Sequence, residues 1–91
     1  MVAGVSQIGP LKVNEKIICD IVFLVADWCR DILVALSMVD TPAIYHMCGS
    51  IEGQVEGIQN VNCYKPMSAR FVKINSTSYR IDVYEIEVIG H

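Results

Sequence analysis

Basic residues are scarce in this chain, with seven Lys and Arg against ten Asp and Glu among 91 residues. They are scattered along the sequence, so no basic face is expected to follow phosphates, and nucleic acid is excluded as an obvious partner. A bilayer-spanning run is also lacking. The most apolar segment, IICDIVFLVA at residues 17–26, is interrupted by Asp20 and far too short to cross a membrane, so any membrane contact would be peripheral. The opening residues MVAGVSQIGPLKV carry no basic stretch followed by an apolar run and a small-residue cleavage site, so a secretory leader would have to lie upstream of this chain. No Ser or Cys nucleophile with a paired His is recognised, no carboxylate pair shares a turn, and no Gly-rich phosphate cradle appears, so an enzyme is not expected. His46 and His91 are isolated in the chain and make poor catalytic bases. The four cysteines, Cys19, Cys29, Cys48 and Cys63, form no CxxC knuckle, which argues against a zinc site.

What is present is a chain with 53% hydrophobic residues, enough for one small domain. Its apolar residues fall mostly in short alternating runs, the period of a strand with one buried face. Residues 1–16 read as an irregular lead-in with Gly4, Gly9 and Pro10 and a short strand near 11–13, and residues 17–91 read as the domain. Residues 17–26 favour a buried strand, and Asp27-Trp28-Cys29-Arg30-Asp31 breaks the apolar pattern as a polar loop or corner. Residues 32–39, ILVALSMV, suit a helix by composition and a buried strand by length. Thr41-Pro42 opens a loop expected to run through Cys48-Gly49, Gly53 and Gly57 punctuate an exposed stretch, and 57–62 is another strand. Cys63-Tyr64-Lys65-Pro66 reads as a turn into a closing hairpin, with Phe71-Val72-Lys73-Ile74 paired to the run from Ile81 to Ile89 across Asn75-Ser76-Thr77-Ser78. Short strands at this spacing predict an all-β antiparallel sandwich or barrel. A Cys48–Cys63 bridge would close a loop of about fifteen residues and add roughly 3 kcal/mol. The alternative is two buried thiols. Four cysteines in so short a chain point toward an oxidising, extracellular compartment.

The string Cys48-Gly49-Ser50-Ile51, then Cys63-Tyr64-Lys65-Pro66-Met67-Ser68-Ala69-Arg70-Phe71-Val72, then Tyr84-Glu85-Ile86-Glu87-Val88, resembles the C-terminal part of F-type lectins (fucolectins). These lectins belong to the discoidin-like, galactose-binding-like family. Their last third runs Cys, loop, Cys, a Pro-containing turn, Gly-Arg-Tyr-Val, a polar gap and Leu-Cys-Glu-Val-Glu-Val. The resemblance implies a jelly-roll β-sandwich, truncated here because the first half of the family fold is not recognisable. It also implies a secreted module that binds fucosylated glycan or glycoprotein.

The family holds fucose with a His and two Arg, whose guanidinium forks donate to ring and hydroxyl oxygens. No His stands in residues 1–26, the first Arg position falls at Val25, and the second falls near Asp31 or Ile32. Of the family's adjacent cysteine pair only Cys29 is matched, with Trp28 in the other place, and the last-strand cysteine is Tyr84. Sugar binding, weak or lost, would therefore rest on Asp27, Trp28, Cys29 and Arg30, with Arg30 the donor, Trp28 an apolar platform and the two flanking aspartates holding the guanidinium. The plainer alternatives are a Trp pinning a loop and a solvated Arg. Calcium is the cofactor the resemblance implies, with Glu85 as a ligand, against a plain strand glutamate on the wet face. Arg70 reads as structural, pairing with a carboxylate or carbonyl. Asn75-Ser76-Thr77 is an N-glycosylation acceptor placed in a turn. The alternatives to a lectin are an adhesion module binding a protein or membrane surface, or a partial copy without a binding role. Without a partner sheet the face of residues 17–26 should drive self-association, giving a homo-oligomer.

Overall fold

The computed structural model describes residues 6–39, 44–78 and 81–91. Three strands account for nearly all of them: β1 (Ser6–Ser37), β2 (His46–Ser76) and β3 (Val83–Gly90). They form one antiparallel sheet in the order β2-β1-β3. The all-β expectation holds.

Straight strands of this length do not fit the molecule. At about 3.3 Å per residue β1 alone would extend roughly 100 Å, whereas the longest dimension is 36 Å. The strands therefore bend, and register shifts mark the bends: between Ile18 and Asp20, between Val25 and Cys29, and between Arg30 and Ile32 of β1. Bulges of this kind insert residues on one strand and sharpen its twist. The outcome is a sheet that turns back over its own apolar face. Residues 18–25 of β1 lie between β2 and β3, while residues 33–36 of the same strand lie between two separate parts of β2, as Leu33 pairs with both Ser50 and Asn75.

The core lies in the fold of the sheet. Ile18, Ile21, Phe23 and Val25 come from one limb, Val34, Leu36, Val72 and Ile74 from the other, and all belong to one buried cluster. Each such side chain contributes about 1.5–3 kcal/mol by leaving water. Residues 18–25 thus have a strand on each side, and Ile18, Ile21, Phe23 and Val25 are buried within the chain itself.

The ambiguous run 32–39 is strand through Ser37, and its missing periodicity has a clear cause. Val34, Ala35, Leu36 and Ser37 are all buried, because this segment has a neighbour on each side and Ala35, on the outer face, is small enough to be covered by flanking side chains. Several punctuation signals were overridden. Residues 6–16 are strand rather than irregular, Cys48-Gly49 lies inside β2 rather than in a loop, and the 63–66 turn is a bulged part of β2. Gly53 and Gly57 remain in the strand with φ of 84° and 83°.

The largest correction concerns the C-terminal hairpin. Strand β3 pairs with residues 18–25 of β1, not with 71–74, which pair instead with residues 8–12 and 34–37. Residues 75–78 stay on one limb and Asp82 is already on the other, as Thr77 N–H donates to the Arg30 carbonyl (3.1 Å) and Ala26 N–H to the Asp82 carbonyl (3.0 Å). Within β3 the apolar phase slips, odd-numbered at Ile81 and Val83 and even-numbered at Ile86 and Val88, all four packed on the core. A bulge at Glu85 (φ 54°) absorbs that slip.

Candidate functional site

The bend in β1 at Arg30 and Asp31 is where the two limbs separate, and a cleft opens there. Asp31 has φ 53°, a left-handed conformation that Asp tolerates better than most residues. Its carboxylate accepts the Gly53 backbone N–H at 2.7 Å. The Thr77 hydroxyl lies 3.2 Å from both Asp31 Oδ2 and the Arg30 carbonyl and donates to one at a time. The Arg30 carbonyl also accepts the Ser76 hydroxyl at 2.6 Å, and the Arg30 N–H donates to Ser78 Oγ at 2.6 Å. Gly53, at positive φ with open space where a Cβ would stand, lets its N–H reach the carboxylate. The Gly53 N–H and then the Thr77 hydroxyl hold the Asp31 carboxyl below the usual carboxylate range.

The cleft beside this clamp encloses about 650 Å³. Its floor is Ile32, Leu33 and Ile51, and its polar rim is Arg30, Asp31, Ser50, Glu52, Asn75 and Thr77. Strand register explains the assembly, because Leu33 is flanked directly by Ser50 on one side and Asn75 on the other. Buried Asn75 Oδ1 has no hydrogen-bond partner, an uncommon state for a buried polar atom.

Of the four residues predicted to bind carbohydrate, Arg30 lines this cleft, while Asp27, Trp28 and Cys29 do not. Trp28 is 52% exposed beyond the cleft, and its backbone N–H donates to the Asp27 carboxylate. Cys29 is fully buried in the core, so its thiol is out of a ligand's reach. Burial pushes that thiol's pKa up, and a contact with Ser76 offsets part of the rise. The Asp31 oxygens are engaged by Gly53 and Thr77 rather than by the Arg30 guanidinium.

Glu85 is exposed at its bulge, and among the described residues no group of three or more His, Cys, Asp or Glu gathers to hold a metal. Arg70 pairs with Glu15 at 2.9 Å, as its structural reading expects. The acceptor Asn75 lies in β2, paired with Gln7 and Leu33, rather than in a free turn. The Cys48–Cys63 bridge is formed, with Cα atoms 4.2 Å apart, and Cys19 and Cys29 are free. Such a bridge is typical of oxidising compartments.

Folding also gathers residues that look scattered in the sequence. Lys12, Lys16, Lys65, Arg70 and Lys73 all fall on residues 65–73 of β2 and the part of β1 paired with them, where Arg70 pairs with Glu15 and the Lys16 ammonium reaches the Val88 carbonyl. Beside them is a second concavity of about 510 Å³, lined by His46, Met47, Tyr64, Lys65, Met67 and Ser68. It touches the first through Ser50 Oγ and Tyr64 Oη, 3.4 Å apart. Reading 63–66 as a turn hid this site. The clue was the proximity that a Cys48–Cys63 bridge imposes on residues 47 and 64. No family model, no curated protein and no solved structure matches the chain.

Proposed function

We propose that the protein is a carbohydrate-binding module resembling F-type lectins, with its ligand seated in the cleft at the Arg30–Asp31 bend. The observation that carries this reading is the rim of that cleft. Arg30 supplies a guanidinium donor, Asp31 and Glu52 supply acceptors, and Ser50 and Thr77 supply hydroxyls around an aliphatic floor. An open site with many short polar groups and an apolar floor suits a pyranose, which presents hydroxyls at its edge and C–H groups on its face.

The folded-back antiparallel sheet is compatible with a jelly-roll sandwich of the galactose-binding-like type, and the disulfide with a secreted protein. Affinity is weak in this reading, because Arg30 is the only guanidinium on the rim among the described residues. Calcium would act, if at all, through Glu85 away from the cleft, so sugar binding is expected to withstand a chelator.

The test is a glycan array probed with the intact chain and with Arg30→Ala. Retention on fucosylated glycans that disappears in the variant supports the reading, and silence of the intact chain across the array overturns it. One observation favours the alternative of an adhesion module. Ile58, Leu24 and Tyr84 form a row across three strands on the outer face, with Ile58 78% and Tyr84 55% exposed. Binding to a protein or membrane surface that is lost on Ile58→Ser and unchanged by Arg30→Ala would favour that alternative.

A further inference from the structure

The two concavities differ in charge. The Arg30 cleft carries the carboxylates of Asp31 and Glu52, whereas the residues lining the second include Lys65 and His46 and no carboxylate. Lys73 stands nearby on the same outer face, since Met47, Ala35 and Lys73 form one row across adjacent strands, about 10 Å from end to end at the usual strand spacing. Its ammonium rests 4.0 Å from the centre of the Tyr45 ring. Tyr64, 71% exposed, and Met47, 45% exposed, offer an aromatic and a thioether face in the same concavity. The rims meet where Ser50 of the first site contacts Tyr64 of the second.

We propose that the Tyr64–Lys65 concavity is a second saccharide subsite that takes an anionic group, a sulfate or carboxylate, on the sugar unit next to the one in the Arg30 cleft. The proposal rests on the carbohydrate reading of that cleft and names its ligand class: an anionic oligosaccharide bound in one direction. Asp31 and Glu52 accept hydroxyl donors and repel an anion, so a neutral, hydroxyl-rich unit occupies the first site. Lys65, with Lys73 on the same outer face, attracts the anion to the second. Tyr64 stacks on the C–H face of the anionic unit while its hydroxyl joins Ser50 at the boundary. A cationic side chain beside an aromatic platform distinguishes charged from neutral sugars without requiring a closed pocket.

The test compares a neutral fucosylated oligosaccharide with its sulfated counterpart by calorimetry, on the intact chain and on Lys65→Gln, Tyr64→Ala and Arg30→Ala, with circular dichroism to verify folding. The sulfated ligand is expected to bind about fivefold or more tightly, as one exposed charge pair allows, and the advantage is expected to shrink as salt rises from about 50 to about 300 mM. Lys65→Gln abolishes the advantage and leaves the neutral ligand's Kd unchanged, Tyr64→Ala weakens the sulfated ligand, and Arg30→Ala weakens both ligands. Equal affinity for the two ligands overturns the subsite and leaves the lectin reading standing. A sulfate preference that survives Lys65→Gln also overturns the subsite. Failure of both ligands to bind the intact chain overturns the lectin reading and the subsite with it.

Discussion

Asp31 shows how one side chain sets a functional corner. Its carboxylate holds Gly53 inside β2 and Thr77 just past the end of that strand, so the charge ties together the two walls of the cleft. A carboxyl held below its usual range contributes stability that is complete above about pH 4 and is lost as the pH falls through its lowered value. Asp31→Asn keeps a side chain tolerant of positive φ and removes the charge together with one of the two acceptor oxygens. Its melting temperature is expected to fall below that of the intact chain at pH 7, and the gap to narrow as the pH falls through that lowered value, in parallel thermal scans. Cys29 makes a complementary point. Its buried, neutral thiol should resist iodoacetamide in the native protein, whereas Cys19, partly exposed, should be labelled first. Mass spectrometry before and after denaturant reads the difference directly.

At the scale of elements, three features hold the bent strands in register. The Cys48–Cys63 bridge ties β2 to itself across fifteen positions, and replacing both cysteines by Ala should cost about 3 kcal/mol in urea unfolding under non-reducing conditions. Gly49 lies against the Asn62 carbonyl, with an added Cβ meeting it at 2.8 Å, which keeps the two passes of β2 close beside that bridge. Gly90 closes the end of β3. The main chains of Gly90 and Ile17 are so near that a Cβ at Gly90 would overlap the Ile17 carbonyl. Gly90→Ala should therefore displace the end of β3 and destabilise the fold by about 1–3 kcal/mol, with the fastest amide exchange appearing at residues 86–90. The Glu85 bulge was legible in principle, because the shift from odd to even apolar positions announces an extra residue. Pairing β3 with 71–74 was the wrong reading, because a polar stretch between two alternating runs marks a hairpin only if the runs are neighbours. Here residues 75–78 stay on one limb and Asp82 is on the other.

For the molecule as a whole, folding sorts the surface from the interior more sharply than composition suggests. Phe23 is 1% exposed and Ile58 78% exposed, although both are large apolar residues within strands. Phe23→Ala should cost about 3–5 kcal/mol, whereas Ile58→Ser should stay within about 0.5 kcal/mol; chemical denaturation compares the two. The same sorting gives the outer surface its charge pattern. Five basic residues spread through the sequence, Lys12, Lys16, Lys65, Arg70 and Lys73, fall on residues 65–73 of β2 and the part of β1 paired with them, while Asp20, Glu85 and Glu87 lie on or beside β3.

Alternation of branched and polar residues determined locally that the chain would be β, since a period of two leaves few other ways to bury one face. The spacing of Cys48 and Cys63 was compatible with their bridge, and the polar break at 27–31 marked the bend that carries Arg30 and Asp31. Which strands became neighbours, and therefore which side chains share a cleft, was decided only by tertiary structure. Pairing depends on bulges, on long-range register and on how a strand folds back to cover its own core, and none of these is written in the local period. That is why Arg30 meets Ser76 and Thr77, why Ser50 meets Tyr64, and why Cys29 lies in the core instead of at a binding surface.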